Sequence, residues 1–199
     1  MTLETSKNLG AVGAILMVIS PLGMGAFTGA LGLVGLILLL MAVKGLSDHY
    51  REQGMFNNAL YGFVLVIVGI VATIAILVIT ALTTLSRLGI DIFNVSHWGS
   101  MGTMMQNVFG NFANWNLLWT LIGAIVVALV VLFAFLVVGA IFFRKSLNAL
   151  AKKTKVPMFE TAGLLMLVGA VLTIILVGFI VIWVSLILIA VAFFSIKGK

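Results

Sequence analysis

The chain has 199 residues, 63% of them hydrophobic and only 8% charged, with no cysteine and a net charge of +6. Soluble domains are roughly a quarter charged, so a mean hydropathy of +1.34 excludes a water-soluble globule. The missing cysteines exclude disulfides, thiolate metal sites and iron–sulfur clusters. The basic excess sits at the ends of apolar segments, where membrane orientation requires it and nucleic-acid binding does not.

Lys7 followed by Leu9–Leu22 has the outline of a short signal peptide, with Ala26 or Ala30 as cleavage sites. It is read here as a spanning or re-entrant segment of the mature protein. Leu9–Val43 is apolar throughout and as one helix would run roughly 50 Å, well beyond a hydrocarbon core of about 30 Å. Ser20-Pro21-Leu22-Gly23-Met24-Gly25 supplies turn residues in its middle, which predicts two short spans, 9–22 and 27–44. Lys44–Gly54 mixes Asp48 and Glu52 with Lys44 and Arg51 and reads as a solvated loop. Asn58–Leu82 is a third span, 83–116 an outer insert, and Leu117–Phe143 a fourth span. A second linker, Arg144–Lys155, holds five basic residues and no acidic one. Thr161–Ile196 is again too long for one helix, and Gly178 divides it into spans five and six. The expected fold class is all-α: a polytopic transmembrane helical bundle of six spans in one domain, residues 1–199.

Charge tests that count. With the N-terminus inside, Lys7, Lys44, Arg51, Arg144, Lys145, Lys152, Lys153, Lys155, Lys197 and Lys199 are cytoplasmic, and Arg87 alone is external. This positive-inside bias predicts a multi-pass protein of the cell membrane with both termini cytoplasmic. Five spans would strand Lys197 and Lys199 outside.

The outward-going spans begin alike: Asn8 to Gly13 aligns with Asn57 to Gly62, and Gly13 and Gly62 with Gly163. The returning spans end alike, with Leu36–Ala42 (LILLLMA) resembling Leu186–Ala192 (LILIAVA), and Phe142-Phe143 recurring as Phe193-Phe194. Three tandem two-helix hairpins, 9–44, 57–144 and 158–197, account for this self-similarity. A Gly-rich first hairpin, then KGLSDHYREQGMFNNALYGF and a closing ETAGLLMLVGAVL…LILIAVAFFSIK, resembles an archaeal integral membrane family catalogued as domain of unknown function 996. The resemblance covers nearly the whole chain and implies no known activity, so it transfers no functional residue.

No ionisable residue falls inside a proposed span, which removes the usual marker of a proton or ion path. Glu160, three residues after Pro157, suits the first turn of a helix, where a carboxylate favours the dipole. His97 with Met101, Met104 and Met105 has the spacing of a weak soft-metal site. The same methionines, with Val108, Phe109 and Phe112, form an apolar stripe of helical period, and that reading is preferred. Asn94-Val95-Ser96 is a glycosylation acceptor on the proposed outer face. Gly25 and Gly29 form a GxxxG pair suited to helix packing, inside the chain or against another subunit. Arg144, Lys145, Lys152, Lys153 and Lys155 are candidates for anionic lipid head groups.

No catalytic constellation or cofactor site is legible. The expected role is non-catalytic: an accessory or scaffold subunit of a larger membrane assembly, with membrane lipid and other protein subunits or further copies of itself as partners. The alternative is a small transporter or channel for a neutral or apolar solute.

Overall fold

The computed structural model describes residues 2–22, 26–87, 115–175 and 177–197. Among them the chain is all-helical, with six helices long and apolar enough to cross a membrane. These are α1 (Leu3–Ile19), α2 (Ala26–Tyr50), α3 (Gln53–Arg87), α4 (Trp115–Thr154), α5 (Met158–Leu172) and α6 (Val177–Phe194). Contacts divide the chain into two units: Met1–Ile67 with Phe135–Lys199, and Val68–Ala134.

Local chemistry sets the helix ends. Thr2 caps α1, its hydroxyl accepting from the Thr5 amide at 3.2 Å, with Glu4 in the first turn. At the end of α2, Arg51 takes φ 52°, and two backbone bonds close the turn: Arg51 N–H to Asp48 O and Glu52 N–H to Ser47 O. That is the Schellman closure, with arginine where glycine is usual. The Ser47 hydroxyl donates to Glu52 O at 2.8 Å and tightens it. Lys155, at φ 57°, turns the chain between α4 and α5.

The expected solvated loop at Lys44–Gly54 is therefore mostly helix. Its reversal takes two residues, and Leu46 and Ser47 are buried. Likewise Arg144–Thr154 continues α4, because Leu147, Leu150 and Ala151 bury one face of the basic stretch. The break in the last apolar stretch also moves. Gly178 lies inside α6, and the chain turns earlier, through a 3₁₀ turn at Thr173–Ile175. Gly178 is needed for a different reason: a Cβ there would run into Gly169 O and the Thr173 amide of the neighbouring helix. The Thr173 hydroxyl donates to Ala170 O at 2.6 Å at the start of this turn.

The hairpins cross at small residues. A Cβ on Gly13 would sit 2.6 Å from Gly35 O, and one on Gly35 equally close to Gly13 O. Gly62 and Gly139 face each other in the same way, at 2.9 and 3.2 Å. In the third hairpin Ser185 replaces the second glycine and donates to Ala162 O at 2.7 Å, one residue before Gly163. Gly35 and Ser185 each stand 22 positions after Gly13 and Gly163, although Gly163 itself packs against Arg144 and Leu147 of α4. This register supersedes the match of Phe142-Phe143 with Phe193-Phe194. Phe193 lies fully buried edge-on to Phe159 at 5.1 Å and against Gly10, while Phe143 packs near Gly62.

The core of the first unit gathers at the end holding the Arg51 and Lys155 turns, around Leu46, Met55, Leu150, Phe159, Phe193 and Ile196. Side chains packed in this way gain dispersion contacts with one another on every side. In the second unit the Thr73 hydroxyl donates to Gly69 O at 2.8 Å and reaches Ala128 O at 3.5 Å. Ala128 is buried, while Val71, Ile74, Leu129 and Val130 are exposed.

Candidate functional site

All six helices of the first unit contribute to a cavity of about 170 Å³. One wall residue from each is Met17, Leu39, Phe63, Phe143, Met166 and Ile189. The returning helices supply equivalent pairs: Leu36 and Leu39 after Gly35, Ala140 and Phe143 after Gly139, Leu186 and Ile189 after Ser185. Each pair is spaced i, i+3, which puts both side chains on one helix face. The small residue at the crossing draws the two helices of a hairpin together, and the pair that follows it is directed at the cavity. Every lining side chain is apolar.

The hydroxyls around this interior are turned onto backbone. Ser146 donates to Met55 O at 2.7 Å, Ser185 to Ala162 O, and the Trp183 indole N–H to Val18 O at 2.9 Å. Each satisfies a donor that would be costly to bury unpaired.

On all six helices the exposed face changes character near one end. Exposed Asn8 gives way to Val12, Lys44 to Met41, Asn57 to Val64, Lys145 to Ile141, Thr161 to Leu164, and Lys197 to Phe194. Lys7 Nζ donates to Ile196 O at 2.8 Å, so a lysine of the first hairpin closes the chain end of the third. Cations near a helix C-terminus also complement its dipole.

The predicted head-group residues lie at this polar end. Lys145, Lys152, Lys153 and Lys155 are exposed and Arg144 half-buried, its Cα 3.3 Å from where a Gly163 Cβ would sit. Lys153 is paired with Glu52 at 3.0 Å, and Lys145 Nζ stands 5.4 Å from the Phe142 ring centre. Arg144, Asn148 and Lys152 follow one another at i+4, and the buried Asn148 Oδ1 has no hydrogen-bond partner among the described residues. Glu160 is exposed in the first turn of α5, as its spacing from Pro157 predicts.

Gly29 is in α2, but a Cβ there meets nothing within 4 Å, so the packing contact expected within the chain falls on Gly13 and Gly35 instead. Gly25, Asn94, His97, Met101, Met104 and Met105 lie outside the described residues, as does most of the 83–116 insert. Among the described residues no group of three His, Cys, Asp or Glu is placed to hold a metal. The cavity was not anticipated from the sequence, although its signal was present: a small residue followed by paired apolar residues at matching positions of three helices.

Residues 31–187 match the model of a family described as protein of unknown function, DUF996. The chain is 30% identical over 196 residues to an uncharacterized protein of Methanocaldococcus jannaschii, covering 98% of this chain and 94% of that protein. No solved structure gives a significant match.

Proposed function

We propose, from the premise that the chain belongs to the DUF996 family of proteins of unknown function, that it is a non-catalytic integral membrane protein. In this reading both termini are cytoplasmic and the chain is an accessory or scaffold subunit of a larger membrane assembly. The change from polar to apolar exposed surface on six helices supports the membrane placement, with the basic turns in the head-group layer. The observation that carries the non-catalytic reading is the interior itself. Its walls are apolar and the hydroxyls beside it are committed to backbone carbonyls, whereas acid–base and nucleophilic chemistry needs positioned groups with free lone pairs or protons. Action through the outer surface is favoured by Gly29 and Gly123. Both are helical glycines where an added Cβ would meet nothing among the described residues, so another helix can approach closely.

The cavity favours a second reading, a small transporter or channel for a neutral or apolar solute. Purification in mild detergent or lipid nanodiscs, followed by mass spectrometry, separates the two. A stoichiometric protein partner supports the subunit reading. A monodisperse chain that purifies alone and accelerates solute flux in vesicles replaces it with the transporter reading.

A further inference from the structure

We infer that the cavity of the first unit is a binding site for an apolar hydrocarbon group, the end segment of a membrane lipid chain. Its volume of about 170 Å³ is the first argument. An engineered apolar cavity of about 150 Å³ stays dry and takes up benzene or xenon, because water there would forfeit its hydrogen bonds. This cavity offers no polar side chain to a water molecule, and the hydroxyls of Ser146 and Ser185, which adjoin the lining residues Leu147 and Leu186, are already bonded to carbonyls. Left empty, its walls would forfeit the dispersion contacts that an apolar occupant restores.

Depth is the second argument. Leu39, Phe63, Phe143, Met166 and Ile189 all lie on the apolar side of the surface change that runs through Lys44, Asn57, Lys145, Thr161 and Lys197. Lipid acyl chains are the abundant apolar groups on that side of the boundary, a chain enters such a space by its free end, and about six to eight carbons fill a space of benzene size or slightly larger. This inference rests on the membrane placement proposed above but not on the subunit reading, and a free hydrocarbon tests it separately from any partner.

The cavity carries its own reporters, because Met17 and Met166 line it and Met55 lies buried elsewhere in the core. With ¹³C-methyl methionine in lipid nanodiscs, benzene is titrated while the three methyl resonances are followed. The expected result is a saturable shift of Met17 and Met166 with Met55 unmoved. It should weaken about tenfold or more, equivalent to 1.4 kcal/mol, in Ala140→Leu. Ala140 and Ala170 are both buried wall residues, so Ala170→Leu is the second filler if Ala140→Leu loses the Met55 signal of the folded core.

A second arm uses lipid carrying a nitroxide at the chain end. Broadening of Met17 and Met166 that benzene reverses identifies the lipid chain as occupant, and broadening that benzene leaves unchanged assigns the site to free hydrocarbons and overturns the lipid assignment. Shifts that rise linearly without saturation, and equally in wild type and both fillers, overturn the site altogether.

Discussion

Replacing Gly35 by alanine adds one methyl group at the tightest crossing of the first hairpin. That Cβ would stand 2.6 Å from Gly13 O and 3.0 Å from both Leu16 Cβ and Met17 Cγ. Ordinary contact begins near 3.4 Å, so α1 and α2 must separate locally by about 0.8 Å. Overpacking of this kind costs about 1–3 kcal/mol, whereas alanine in a helix gains about 1 kcal/mol over glycine. The net expectation is destabilisation by up to about 2 kcal/mol, with Gly35→Val clearly worse. Gly29→Ala is the matched control, the same substitution in the same helix with nothing within 4 Å of the new methyl, and is expected to be neutral or stabilising by up to about 1 kcal/mol. Reversible denaturant titration in mixed micelles, followed by tryptophan fluorescence, measures both. If Gly35→Ala and Gly29→Ala shift stability with the same sign and size, the crossing does not hold the hairpin together and the packing argument fails.

Ser185→Ala should cost about 1 kcal/mol by removing the side-chain donor that Ala162 O has besides its helix bond, read in the same titration; an unchanged midpoint would show the bond is not needed. Lys7→Met should loosen the closing turn of α6 and speed hydrogen exchange at the amides of Ser195 and Ile196, while Lys7→Arg should keep them protected. A double-mutant cycle on Glu52 and Lys153, each about 40% exposed, should give a coupling of no more than about 1 kcal/mol that disappears at high salt. A C-terminal reporter should be active only on the cytoplasmic side, and activity outside the cell would overturn both the orientation and the count of crossings.

The class of fold was legible because bulk hydropathy and segment length have few other causes in a chain this apolar. Boundaries were less so, for reasons visible at particular residues. Arg51 and Lys155 end helices in a conformation that normally advertises itself with glycine, so the reversals could not be seen. Charged residues from Lys44 to Glu52 looked like a loop because their composition is polar. Yet Leu46 is fully buried among them and Met55 just beyond, at a spacing too sparse to register as a core face. Gly178 was noticed for the wrong property. It marks the close approach of two helices, and the neighbouring turn is made by Thr173–Ile175 without glycine.

Among the basic residues, orientation and packing use the same side chains. Lys7 bonds a carbonyl, Lys153 pairs with Glu52, and Lys44 and Lys145 stand 5.4 Å from the rings of Phe56 and Phe142. Lys44 and Lys145 lie against aromatic rings while their charge stays at the polar end, which is how such side chains snorkel. An interfacial lysine therefore has two independent reasons to be where it is, and its charge alone cannot say which dominates. Arg144 and Lys152 flank Asn148 Oδ1, which has no hydrogen-bond partner among the described residues, and neither is paired with an acid among them. With Lys155 they carry no ion pair among the described residues, so the proposed contact with anionic head groups is tested first at these three.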